Sequence, residues 1–279
     1  MLNRIKTIIL LGGLAGLMLL IGSYFGKTGL FIGLIFAIAT NFFSYFYSDK
    51  LVLSMYRARK VKESDFPRLW RIVKEVSRMA KIKMPKVYVI PSHTPNAFAT
   101  GRNEKNAAVA CTVGILEILN DEELKGVIAH EISHIKNRDI LIQTIACTIG
   151  AVISYLAMMA RWAAIFGGYR DERRGGGIEL LALAIIAPIV ALIIQLAISR
   201  SREYLADESA AKLLYNPKGL ASALRKLEIG IRHNPMRFGN SATSSLFIVN
   251  PFRGEALITL FSTHPPIKKR IERLLSLKL

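Results

Sequence analysis

The sequence predicts a mainly α membrane protein, with four transmembrane helices and an α+β domain built from the segments between and after them. Three observations carry this. The 279-residue chain is 52% apolar and only 21% charged, with a positive mean hydropathy of +0.34. Four apolar runs each approach the roughly 20 residues that a helix needs to cross a bilayer. Elsewhere the pattern alternates between helical periodicity and short β-branched runs. The formal net charge is +18, but the basic residues group beside the apolar runs and no nucleic-acid-binding motif is evident. Anionic headgroups of a lipid bilayer are therefore the expected partner, and no nucleic acid. Cys111 and Cys147 are the only cysteines, too few for a disulfide framework or a cysteine metal cluster.

Thr7 to Phe25 is uncharged and follows Arg4 and Lys6. It is long for the apolar core of a signal peptide and lacks an A-x-A cleavage site. A second uncharged run, Thr28 to Ser48, follows a turn around Lys27, so residues 1–48 read as a transmembrane hairpin. Its flanks are basic, with Lys50, Arg57, Arg59, Lys60 and Lys62 on the far side. The positive-inside rule then puts the N-terminus and the region after residue 49 in the cytoplasm, as in a multi-pass protein of the cell membrane.

Residues 49–139 read as the first part of a cytoplasmic domain. Asp65 and Pro67 suit a helix start, and Leu69, Ile72, Val73, Val76 and Met79 repeat at helical spacing. Lys86 to Ile90 is a β-branched run, and Pro95 to Gly101 and Ala107 to Val113 read as two more strands around a turn at Asn103. Asn120 with Glu123 forms a capping box, so a helix is expected from Asp121, with Leu124, Val127, Ile128, Ile132 and Ile135 as its apolar stripe. Residues 140–199 hold two further runs, Ile140 to Ala160 and Leu180 to Ser199, expected as a second hairpin. The loop between them carries Arg161, Arg170, Arg173 and Arg174, against the charge rule if it is external. Residues 200–279 return to soluble patterning as the second part of the domain.

The helix expected from Asp121 contains His130-Glu131-Ile132-Ser133-His134. Histidines four apart share a helical face and can each give a nitrogen to one tetrahedral zinc. The glutamate beside the first can take a proton from water made acidic by the metal. The alternative is a surface helix with two solvated histidines, which the apolar stripe argues against. A third protein ligand is then needed, leaving one position for water. Glu203 and Asp207 lie four apart where the chain returns from its last apolar run. Glu203 could ligate while Asp207 accepts from the free nitrogen of a zinc histidine. On spacing alone, Glu208 and Glu179 compete, and Glu203 with Asp207 could be an ordinary charged helix start beside Arg200 and Arg202.

H-E-x-x-H followed by E-x-x-x-D on a later helix is similar to the gluzincin arrangement. The metzincin pattern would need a third histidine where this chain has Ile140. Asn96 to Gly101, His130 to Asp139, Arg202 to Asp207, and Ser262-Thr263-His264-Pro265-Pro266 with Arg270-Ile271 together resemble the HtpX family of membrane zinc metallopeptidases, relatives of the CAAX prenyl proteases. The resemblance implies a zincin-like metalloprotease domain and an endopeptidase acting on misfolded or damaged membrane proteins, in stress response and protein quality control. It also implies one zinc per chain on His130, His134 and Glu203, with Glu131 as general base. Asn96 to Thr100 would be the strand that pairs with substrate backbone; alternatively Asn96 merely turns the chain. His264 is the remaining candidate catalytic residue, donating to the developing oxyanion or propping a zinc ligand, unless it simply caps a final helix, Ile267 to Leu277, with a solvated basic face. His93 and His233 are expected in loops without a role, and Asn234 to Pro251 as a polar connection.

Two other classes are weighed. A site-2-type intramembrane metalloprotease would need the motif inside an apolar span, but Asp121, Glu122, Glu123, Lys125, Lys136 and Arg138 flank it. A non-proteolytic scaffold with a structural zinc would normally offer four protein ligands, often cysteines, and neither cysteine is near.

Overall fold

The computed structural model describes residues 11–13, 15–16, 18–19, 23, 26–141, 143–145, 200–239, 241–252 and 265–279. Helix α1, Gly26–Met55, has a mean hydropathy of 1.8 over its most apolar stretch, enough to cross a membrane. It runs about two turns beyond the expected Ser48. Large apolar side chains from Leu30 to Tyr47 point outward, whereas Gly33, Ala37, Ser44 and Ser48 form a buried stripe. Asn41 lies in the same row, and its Nδ2 donates to the Leu11 carbonyl at 3.2 Å. The described part of the preceding apolar run is helical and is thereby tied to α1. The second expected hairpin lies outside the described residues from position 146 to 199.

Past Ser48, α1 enters protein. Val52, Leu53 and Tyr56 are buried with Phe98 and Phe247, and Tyr56 stands edge-on to Phe247 with ring centres 4.9 Å apart. The chain then forms β1, Arg59–Lys60, and helix α2, Pro67–Met79. Leu69, Ile72, Val73 and Val76 of α2 are buried as expected, but Met79 at its end is 42% exposed. Strands β2, Lys86–Ile90, β3, Ala97–Gly101, and β4, Ala107–Thr112, complete a sheet of order β1-β2-β4-β3. β2 pairs parallel with β4, and β3 pairs antiparallel with β4 across the turn that Asn103 caps.

A short helix, α3, Val113–Ile118, leads into α4, Asp121–Lys136, with the expected capping box at its start. Every residue of α4 from Glu123 to Ile135 except Lys125 is buried, polar face included. Two helices from the far end of the chain do this: α5, Arg200–Leu214, and α6, Pro217–His233. Gly126 permits the approach, since a Cβ there would lie 2.8 Å from the Leu220 backbone nitrogen. Helix α7, Ile267–Leu275, closes over α5 and α6. The segment 246–249, expected within a polar connection, is instead buried, and Ile248 N–H donates to the Ala97 carbonyl. Asn96 is fully buried and holds this segment, donating from Nδ2 to the Val249 carbonyl at 2.6 Å.

Candidate metal centre

Helix α4 fixes the first two residues of the site. Asn120 and Glu123 satisfy each other's backbone N–H groups at 2.9 Å. Burial would push the Glu123 carboxyl up, but Lys226, Ser222 and the Asn120 N–H outweigh it and hold it below its usual value. From this anchored start, three turns of apolar residues carry His130 and His134 onto one face. Their rings stand edge to face, with centroids 4.7 Å apart and Nε2 atoms 3.2 Å apart.

Helix α5 brings Glu203 to the same point. Its Oε2 lies 3.6 Å from His130 Nε2, and its Oε1 lies 3.5 Å from His134 Nε2. All three residues are buried, and their ligand atoms lie within 4.8 Å of one another. Tetrahedral bonds of about 2.0–2.1 Å would set ligand atoms about 3.3 Å apart, so two imidazoles and one carboxylate at these separations fit a small divalent ion. Three protein ligands leave one tetrahedral position for water or substrate.

Buried charge surrounds this triangle. His130 Nδ1 lies 2.9 Å from Asp207 Oδ1. Arg270 grips Asp207 through both carboxylate oxygens, at 2.8 and 2.7 Å, and donates a third bond to the Ile248 carbonyl at 2.7 Å. Burial works against a charged His130, but Asp207 and Glu203 outweigh it and raise its pKa to about 9. Burial pushes Asp207 up, and Arg270 more than offsets this, keeping the carboxyl ionised. Glu131 is buried beside both histidines, and burial raises its pKa against their opposing effect. The backbone N–H of Ala99 on β3 works with the histidines to lower it.

His130, Glu131, His134, Glu203 and Asp207 thus come together. Glu208 does not; it bonds Lys212 at 2.7 Å on the surface. Glu179 and His264 lie outside the described residues. His93 is exposed beside Glu117, and His233 ends α6 and is not in a loop. The last helix does present a solvated basic face, with Lys268, Lys269 and Arg273 exposed, but Arg270 lies apart from it and is fully buried. Its role was missed, though a signal existed. Ile267, Arg270, Ile271 and Leu274 share one helical stripe, and a charge on such a stripe must find a buried partner.

Residues 63–278 match the family model described as Peptidase family M48. The chain is 51% identical to a protein named Protease HtpX homolog from Syntrophobacter fumaroxidans, covering 99% of each chain. It is 54% identical to one of the same name from Pyrococcus furiosus, covering 97% of this chain and 94% of that one. Among solved structures, Ste24p of S. mikatae superposes with a TM-score of 0.53 at 18% identity, over 98% of this chain and 65% of that one. That last likeness concerns the fold alone.

Proposed function

The chain belongs to peptidase family M48 and is a membrane-associated metalloprotease, and from that premise we propose that it is a zinc endopeptidase whose site is His130, His134, Glu203 and Glu131. The observation that carries this is the triangle of two Nε2 atoms and one carboxylate, with Glu131 beside it and outside the ligand set. His130, His134 and Glu203 would hold a zinc ion, which would supply Lewis acidity for the scissile carbonyl and for the attacking water. Glu131 takes the proton from the attacking water and returns it to the leaving amine. Its raised pKa, set by burial beside the two histidines, suits a group that takes and returns a proton near neutral pH. Asp207 keeps the proton of His130 on Nδ1, which leaves Nε2 free as the ligand atom, and Arg270 keeps Asp207 ionised. His264 is retained as a further candidate, contributing to the oxyanion site. β3, the edge strand, is the one that receives substrate backbone, along its Ala99 to Gly101 end, since Ala97 and Phe98 already pair with Ile248 and Phe247.

The substrates are misfolded or damaged membrane proteins, met at the cytoplasmic face of the cell membrane. Support comes from α1. Phe42, Phe43, Tyr45, Phe46 and Tyr47 form an exposed aromatic cluster, Asp49 and Lys50 follow, and the next turn is buried in the catalytic domain. Such a cluster marks the bilayer interface. The Arg102 guanidinium, at the tip of the β3–β4 turn, lies over the Phe46 ring at 5.3 Å, so the sheet stands at headgroup level. The working division is a transmembrane hairpin over 1–48, a second over 140–199, and a catalytic domain shared between 49–139 and 200–279. Detergent-purified protein should cleave a model polypeptide, lose this with a chelator and regain it on zinc add-back. Activity that survives complete metal removal would rule the reading out.

A further inference from the structure

The two histidines of the site are held at their outer nitrogens by different parts of the chain. Asp207 and Arg270 stand behind His130. Behind His134 lies Asp139, whose Oδ2 is 3.4 Å from His134 Nδ1 and whose Oδ1 is 3.6 Å from Arg202 Nε. Both residues of this second pair are buried, Asp139 at 3% and Arg202 at 7% exposure.

How Asp139 reaches the histidine follows from the way α4 ends. Asn137 caps the helix, and Arg138 adopts the left-handed conformation with φ of 60°. The Arg138 N–H donates back to the Ile135 carbonyl, and the Asp139 N–H donates to the carbonyl of His134 itself. This 6→1 and 5→2 pair is the Schellman termination, here made without glycine. It folds the chain back so that Asp139 is fastened to His134 by its backbone while its carboxylate faces the imidazole. The Asp139 carbonyl then accepts from Gln143 N–H, so the next helical stretch starts from the same residue.

We propose that Asp139 is the positioning residue of His134, orienting the ring by accepting from its Nδ1–H, while Arg202 ties that carboxylate to the helix that carries Glu203. The pairing makes His134 the counterpart of His130. In each case the ring nitrogen away from the ligand triangle faces a buried aspartate, which in turn faces an arginine. The consequence is a link between chain segments. Asp139 lies five residues after His134, and Arg202 lies immediately before Glu203. Their contact sets the spacing of two ligands that the segment 140–199 separates in sequence. This inference rests on His134 and Glu203 being ligands, as proposed above.

The test uses the full chain in detergent, with the metal alone as probe. Affinity is measured by chelator competition, and ligand geometry by the visible spectrum of the cobalt(II) form. D139A should weaken metal binding by about 10–100-fold and alter the cobalt spectrum. D139N keeps the shape and one acceptor oxygen, so it should show a smaller loss in the same direction. Should D139A fail to fold, D139N decides alone. Unchanged affinity and spectrum in the folded variant, with only the melting temperature lowered, would overturn the proposal. E203A separates this from failure of the parent reading. If E203A also binds metal like wild type, the ligand set is wrong; if E203A loses metal and the Asp139 variants do not, only the role of Asp139 falls.

Discussion

Glu131 and Arg270 are the two side chains whose replacement tells most at the residue scale. Glu131 touches no ligand position, so Glu131→Gln should keep its metal while losing about 10²–10⁴-fold in turnover. Metal content and peptide cleavage measured on the same sample check this, and near-wild-type turnover would remove Glu131 from the base role. Arg270 has the opposite character. Its guanidinium offsets the buried charges of Asp207 and Glu203, from which it lies 2.7 and 3.7 Å away. Arg270→Ala should therefore destabilise the protein by about 3–5 kcal/mol, the usual cost of breaking a buried ion pair from one side. Arg270→Lys should recover only part of this, because an ammonium cannot reproduce the two-pronged grip. Thermal melts of the three proteins distinguish the outcomes. His130 and His134 were legible because i, i+4 spacing directly states a shared face, whereas Glu203 stood apart from Glu208 and Glu179 only through the resemblance of its E-x-x-x-D stretch to the family pattern. Arg270 was half legible, as a charge on an apolar stripe. Asp139 was not, since its contact depends on a left-handed residue that nothing in the motif announces.

Helix α4 sets most of the behaviour at the element scale. Its capping box was readable from Asn120 and Glu123, and Asn120→Ala should cost about 1 kcal/mol. Glu123 adds a pH dependence whose sign can be worked out. Its folded pKa lies below the unfolded value, because Lys226, Ser222 and the Asn120 N–H outweigh burial. The stabilisation is therefore complete above the unfolded pKa and is lost as pH falls through the lower folded one. In melts from about pH 6 down to about pH 3, wild type should lead Glu123→Gln at the upper end and converge with it at the lower. A constant gap across that range would mean that the ionised form contributes nothing. The end of α4 is equally testable. Arg138 occupies a conformation that glycine accepts freely and β-branched residues resist, so Arg138→Val should melt below Arg138→Gly. The parallel pairing of β2 with β4, and β1 beside them, could not be read from local pattern. Both depend on contacts that close only after the intervening chain has folded.

At the scale of the whole molecule, the proposed order of segments rests on apolar length and on the return of polar patterning after residue 200. What the apolar runs alone could not give is the join between membrane and catalytic parts. The join is made by side chains of mixed character, such as Tyr56, Arg102 and Phe46. Helices α4 and α5 pack directly against each other, and His134 and Glu203 meet between them. The chain must therefore return to the same side of the membrane between Lys136 and Arg200, having crossed an even number of times. Two crossings are proposed, from the lengths of Ile140 to Ala160 and Leu180 to Ser199, each near the roughly 20 residues required. Single cysteines placed after removal of Cys111 and Cys147 can decide. Arg202 is too buried to serve as a reporter, but Glu122, Lys212 and Lys268 are exposed. Probes there should react only from the cytoplasmic side, because basic residues flank both ends of the first hairpin. A probe at Arg173, between the two apolar runs, should react only from the other side. If Arg173 instead reacts with Glu122 and Lys212 from the cytoplasm, the second pair of runs does not cross. The four arginines of that loop would then obey the charge rule, and the protease would be anchored by its first hairpin alone.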